Sequence, residues 1–258
     1  MARYLQVNDI INRTAVECGL EASSSPVTSL DQTFVQLVQL LNSAGQELCE
    51  LHNWQILRQV IDVTLDSASA LTLLGDGVTV GTSGIYTLPD DFNSMINQTG
   101  WDRTNQVAIG GPLSAQNWTY LVGRDLVSQT IYATFRLTDG KLEIFPQPAP
   151  DGLRLSFEYE SRNWLITQGA TLADRDTVGT GADTCVLDPL MTIKFLKLKW
   201  LAAKGFDIAM AALEFDTIFN TRVGKSTGAP VLSASRSGAG YPYLDAYRNT
   251  GDTGYGGI

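Results

Sequence analysis

The spacing of apolar residues changes twice along this chain, and those changes limit what it can fold into. Through residues 1–53 apolar side chains recur every three or four positions. From Trp54 to Leu165 they alternate or run in β-branched clusters, and from Pro189 the helical spacing returns. One segment cannot serve both periods, so a helix pair, a β region and a second helix pair are expected in that order. With 44% hydrophobic residues in 258, the chain has enough apolar side chains to fill a sizeable core.

In the first block Val7, Ile10, Ile11 and Cys18 predict a helix, with Asn8 as its N-cap and Gly19 just past its end. After "EASSSPVTSLD", apolar positions from Phe34 through Leu37, Leu41, Ala44 and Leu48 to Leu51 keep helical spacing for about five turns. Ser29 with Gln32 has the form of a capping box at its start.

In the middle block Gly75, Gly77, Gly81 and Gly84 break one stretch into short pieces. "FRLTDGKLEIFP" places two strand-like runs around Asp139-Gly140, which favours a type I′ hairpin. "LRLSFEYES" puts Leu153, Leu155, Phe157 and Tyr159 on one face and Arg154, Ser156 and Glu158 on the other. "SAQNWTYLV" reads as a short helix capped by Ser114. A small antiparallel sandwich is expected.

In the last block Asp188-Pro189 places a cap and a first-turn proline. "LMTIKFLKLKWLAAK" follows, apolar on nearly every side. Gly205 separates it from a second helix carrying Ile208, Ala211, Ala212, Phe215, Ile218 and Phe219, with Gly224 as its stop. The expected fold class is α+β: a four-helix bundle (1–53 and 186–224), an inserted antiparallel β domain with its connecting loop (54–185) and an extended C-terminal arm (225–258). A helix so apolar asks for more partners than one bundle supplies, which suggests subunit contacts. Lys194, Lys197, Lys199, Trp200 and Lys204 mark that possible interface helix.

The arm, ending "VLSASRSGAGYPYLDAYRNTGDTGYGGI", holds too few aliphatic residues to build a core. Its spaced Tyr241, Tyr243, Leu244, Tyr247 and Tyr255 suit docking on a neighbour, since a tyrosine combines apolar area with a polar tip.

Signs of chemistry are sparse. His52 is the sole histidine and ends a helix, where a structural role near the negative end of the dipole is expected. Asp90-Asp91 reads as a turn, and Asp174 and Asp176 as solvated loop residues. The glycines near Gly75 lack the Lys-Ser/Thr that closes a phosphate-binding loop. Cys18, Cys49 and Cys185 are odd in number and far apart, which fits buried thiols in a reducing compartment. No metal, cofactor or enzymatic activity is expected, nor a secretion signal or membrane span. Trp101, Trp118 and Trp164 fit a sandwich core or, as an alternative, a sugar-stacking platform of a carbohydrate-binding β module. The net charge of −9 is unsuited to gripping nucleic acid and suited to letting it slide past.

Two stretches, "YTLPDDFNSMINQTGWDRTNQVAIGGPLSAQNW" and "FRLTDGKLEIFPQPAPDGLRLSFEYES", resemble the head-to-tail adaptor proteins of short-tailed bacteriophages, the tail tubular protein A or gatekeeper proteins. The Leu-Pro-x-Asp-Phe turn (Leu88 to Phe92), Trp101-Asp102-Arg103, the Gly-Pro-x-Ser step (Gly111 to Ser114) and Ile144-Phe145-Pro146 carry the likeness. The resemblance implies a structural virion protein of the neck, a helical bundle with an inserted β domain assembled as a homo-oligomeric ring, typically twelve-fold. Such a ring binds the portal protein above and the tail nozzle protein below. Double-stranded DNA passes through it without specific binding, and the C-terminal arm reaches onto neighbours or the portal.

Overall fold

The computed structural model describes residues 4–64, 85–96, 99–123, 134–138, 140–145 and 152–226. They belong to one compact unit, Met1–Ser226. The glycines from Gly75 to Gly84, Asp139, Pro146 and the arm with Tyr241, Tyr243, Leu244, Tyr247 and Tyr255 lie outside the described residues. In chain order the elements are β1 (Leu5–Gln6), α1 (Val7–Glu17), α2 (Gln32–Leu51), β2 (Arg58–Thr64), β3 (Ile85–Thr87), β4 (Phe92–Met95), β5 (Trp101–Asp102) and β6 (Val107–Ala108). Then come α3 (Ala115–Gly123), β7 (Thr134–Thr138), β8 (Lys141–Phe145), β9 (Arg154–Ser161), β10 (Leu165–Ile166), β11 (Thr184–Cys185), α4 (Pro189–Lys204) and α5 (Ala209–Ser226). The architecture is mixed α/β, with antiparallel sheets and, among the described residues, five helices.

The first helix starts differently from expectation. Asn8 is not its cap: the helix begins at Val7, and its first amides are held from far along the chain. Val7 N–H donates to the Asp183 carbonyl at 2.9 Å and Asn8 N–H to that of Gly181 at 3.1 Å. A loop thus satisfies donors that a local side chain would otherwise take. The end is as expected: Gly19, at φ +77°, lets Leu20 N–H reach the Ala15 carbonyl and Gly19 N–H that of Val16.

For α2 the cap is Asp31 rather than Ser29. Asp31 Oδ1 accepts from Thr33 N–H at 3.0 Å, while Ser29 Oγ accepts from Asp31 N–H. Asp188 caps α4 by accepting from Met191 N–H, with Pro189 as first residue. Gly205, at φ +73°, ends α4 with the same paired bonds as Gly19. Gly224 does not stop α5, which runs to Ser226; one helical glycine costs only about 1 kcal/mol.

The apolar circumference of α4 has an internal cause. Helices α1, α2 and α5 all pack against it, so Met191, Ile193, Phe195, Leu196 and Trp200 are buried within the subunit. Much of that apolar surface is thus met by partners in the same chain. The same core takes in Trp54, Leu57, Trp164, Leu165 and Cys185. Trp164 and Leu165 join it because β10 and β1 flank β11 in a small sheet beside the helices.

The β region has its own core. β9 lies in the middle of a five-stranded sheet, with β2 on one side and β4 and β5 on the other; β6 extends β5. A three-stranded sheet, β3-β8-β7, supplies the second layer. Leu153, Leu155, Phe157 and Tyr159 are buried as expected, packed with Ile61 and Val63 against Phe135, Leu142 and Ile144. In the β7–β8 hairpin Thr138 pairs with Lys141 across a two-residue turn, with Gly140 at φ +68°. The other face of β9 is less exposed than alternation implies, since Ser156 and Glu160 are buried too.

Candidate functional site

Each lysine of α4 meets a partner in its own chain. Lys194 Nζ lies 2.8 Å from Glu17 and 3.5 Å from Glu214, and Lys197 reaches the same two carboxylates. The hydrogen bond to Glu17, with the charges of Glu17 and Glu214, raises the Lys194 pKa despite partial burial. Lys199 pairs with Glu47 at 2.6 Å and reaches Ser43. Lys204 donates to Gln36 and sits 4.4 Å above the Trp200 ring, which is itself buried. These four lysines tie α4 to α1, α2 and α5 and lay their stems over its apolar surface.

The motif residues of the β region form a joined set of turns. In Leu88–Phe92, Phe92 N–H donates to the Pro89 carbonyl, and both Asp91 carboxylate oxygens lie 3.0 Å from the Tyr159 hydroxyl. Phe92 stacks on the Tyr159 ring at 5.6 Å. Asp91 thus anchors β9, and the Asp90-Asp91 pair is a turn as expected. Asp102 is fully buried and accepts from Thr104 N–H, Asn105 N–H and Asn105 Nδ2, which closes the β5–β6 turn. At the Gly-Pro-x-Ser step, a Cβ on Gly111 would meet the Phe135 carbonyl at 2.6 Å. Ser114 caps α3 through Asn117 N–H. Trp118 of α3 is buried against Phe145, with the Arg136 guanidinium 4.6 Å over its ring. These are construction contacts, and they leave motif side chains turned to one another.

The tryptophans do not assemble into a platform. Trp164 is wholly buried in the helical core, Trp118 is covered by Arg136, and Trp101 is half-buried in β5.

The candidate reactive side chains are held as follows. A cleft of about 480 Å³ is lined by Glu47, Cys49, Glu50, Arg162 and Asp176. Burial pushes the Cys49 thiol to about 12, so it stays protonated and poorly nucleophilic at neutral pH. Burial likewise holds Cys185 at about 12. His52 ends α2 as expected and packs edge-on against Trp54 at 4.8 Å. Its pKa is lowered, by burial first and the charge of Arg58 second. A smaller cleft of about 220 Å³ includes the Asp188–Arg222 ion pair, 3.0 Å apart. Among the described residues no three His, Cys, Asp or Glu side chains are grouped to hold a metal, and no helix is long and apolar enough to cross a membrane.

The motif residues are thus used in turns and packing contacts of the β region. The SU10 adaptor protein family matches residues 5–238, nearly the whole chain. The chain belongs to the SU10 adaptor protein family. A search of curated proteins finds no match. An SU10 adaptor is a structural phage component of the virion neck or tail, and the family is not a known enzyme family. For such a protein the informative surface is the part its own fold leaves uncovered. Helix α5 buries only Ala211 and Phe215 fully, while Phe206, Met210 and Leu213 stand exposed around its start. The sequence reading missed these three because it followed the stripe from Ile208 to Phe219. Ile208 itself precedes the helix and is exposed.

Proposed function

We propose that copies of this chain form a closed ring, twelve-fold as the resemblance implies, between the portal and the tail nozzle of a phage. The observation that carries this reading is the family match over residues 5–238. Within each copy, α1, α2, α4 and α5 serve as a four-helix bundle and the two-layer β region as its insertion. Support comes from the two separate apolar cores, one drawing on those four helices and one on the two sheets. Heterologous contacts close a ring when the rotation between copies divides the circle.

DNA passes through the ring without being gripped. The net charge of −9 supports this, because an acidic wall repels phosphate. The arm, 225–258, docks through Tyr241, Tyr243, Leu244, Tyr247 and Tyr255 on a neighbouring copy or on the portal. Assembly takes place in the host cytoplasm before the tail is added.

A nonsense mutation in the gene for this chain tests the reading. Filled heads that lack tails and leak DNA are the expected product. Tailed, infectious particles without the chain would overturn it.

A further inference from the structure

Among the described residues the chain crosses between its two apolar cores twice. One crossing runs from α2 through His52 and Trp54 to β2, the other from β9 through Arg162 to Trp164. Trp54, Leu57 and Trp164 belong to the helical core, whereas Ile61, Val63 and Tyr159 belong to the core of the β region. A few element-terminal residues of this kind are what a hinge is made of. Glu160 bonds one crossing to the other: its Oε1 accepts from Trp54 N–H at 2.9 Å. The Trp54 indole N–H donates to the Leu48 carbonyl at 2.6 Å, which ties that residue to α2. Glu160 sits near the end of β9, paired with Arg58 of β2 on one side and Ser94 of β4 on the other.

The closed seam keeps two polar groups from water. Glu160 is 2% exposed, and His52 Nε2 is buried with no hydrogen-bond partner among the described residues. Each is a cost that hydration removes. The titratable and charged groups around Glu160 are Cys49 and Glu50 of α2, His52 packed on Trp54, and Arg58 of β2, with the Ser94 hydroxyl from β4. Burial raises the Glu160 pKa and Glu50 adds to it, while Trp54 N–H, Arg58 and Ser94 oppose; the balance is against the charge. His52 has the opposite sense: its pKa is lowered, so charging it as pH falls below 6.5 strains the same seam.

We propose that this seam is a hinge, held shut by the Glu160–Trp54 bond while the carboxyl keeps its proton and opened by water when the proton leaves. The inference rests on contacts within one subunit and does not depend on the adaptor reading. A carboxylate still accepts from Trp54 N–H, but one amide and one hydroxyl do not replace the water a charge loses on burial. The closed form holds its proton above the ordinary value of 4.5, so opening grows as pH rises from there toward the raised value. Both cores stay folded, because the bond lies between them and not inside either. Opening frees the β region to turn on the two crossings.

The test is amide exchange in the purified full-length chain at about pH 5 and about pH 8, read as protection factors so that the intrinsic pH dependence drops out. Trp54 N–H reports the seam, Leu41 the helical core and Phe157 the β region. Trp54 protection should fall at least about tenfold between the two pH values, while Leu41 and Phe157 keep theirs. Glu160→Gln keeps an oxygen for Trp54 N–H and carries no charge, so that fall should be absent. His52 acts alike in both proteins, and their difference isolates the carboxyl. Glu50→Gln is a second variant at an exposed position. It removes a like charge beside Glu160 and should make the fall smaller. Trp54 protection that ignores pH would overturn the hinge. So would a fall shared by Leu41 and Phe157, which reports loss of the whole fold, or a fall of full size in either variant.

Discussion

Trp164 rests against the α2 backbone at Gly45 so closely that a methyl group there has no room beside its ring. The indole N–H donates to the Asp176 carbonyl at 2.8 Å, which fixes the ring in place. Gly45→Ala should therefore cost about 1–3 kcal/mol through overpacking. At this chain length that lowers the melting temperature by roughly 2–4 °C per kcal/mol. Trp164→Leu in the same chain should recover part of the loss, so the double variant loses less than the sum of the singles. Thermal denaturation of the four proteins checks this; additive losses would contradict the contact.

Glu160 carries a pH signature. It is 2% exposed and accepts from Trp54 N–H at 2.9 Å. Burial raises its pKa above the ordinary value of 4.5, against the opposing hydrogen bond from Trp54. The folded state therefore holds this proton where the unfolded chain has lost it, and stability falls as pH rises from about 4.5 toward the raised value. Glu160→Gln keeps an oxygen for Trp54 N–H and should flatten that fall, read by denaturant titrations across the range.

Asp183 works in the opposite sense. Burial raises its pKa, but donors from Thr180 and Gly179 outweigh burial and leave it lowered. Its contribution is present above the unfolded value and disappears as pH falls through the folded one. Asp183→Asn should cost about 1–3 kcal/mol at neutral pH. It should also speed amide exchange at Val7 and Asn8, since Val7 N–H is held by the Asp183 carbonyl.

The lysines of α4 and its phenylalanine should differ sharply. Lys199→Met removes an exposed pair with Glu47 and should change stability by less than about 1 kcal/mol. Phe195 is 7% exposed and stacks on Phe215 at 4.5 Å, so Phe195→Ala should cost about 3–5 kcal/mol.

What the sequence disclosed and what it hid follow from distance along the chain. The alternation of Leu153, Leu155, Phe157 and Tyr159, the cap at Asp188 and the stops at Gly19 and Gly205 are local, and the structure has them. The capping of α1 by the loop at Gly181 and Asp183, and the seating of Trp164 on Gly45, join segments far apart in sequence. No local spacing reports them. The apolar circumference of α4 was visible, but periodicity cannot say whether its partners lie in the same chain. The exposed end at Met210 and Leu213 was hidden because helical spacing identifies a buried stripe and passes over apolar residues beside it.

Truncation after Ala229 should leave the helical signal and the thermal transition in place, because Met1–Ser226 form a compact unit of their own. The truncated chain should fail to join heads to tails. Tyr241, Tyr243 and Tyr247 changed to alanine together should give a milder defect, each ring contributing roughly 1–3 kcal/mol to docking. Normal tailed particles from the truncated chain would remove the docking role of the arm.

The central claim, a ring that bridges portal and tail, is tested most directly by the mass of the full-length chain in solution, alone and with its portal protein. Native mass spectrometry should give portal complexes carrying a fixed integer number of copies, with twelve expected from the resemblance. A chain that stays monomeric and leaves the portal mass unchanged would contradict the account.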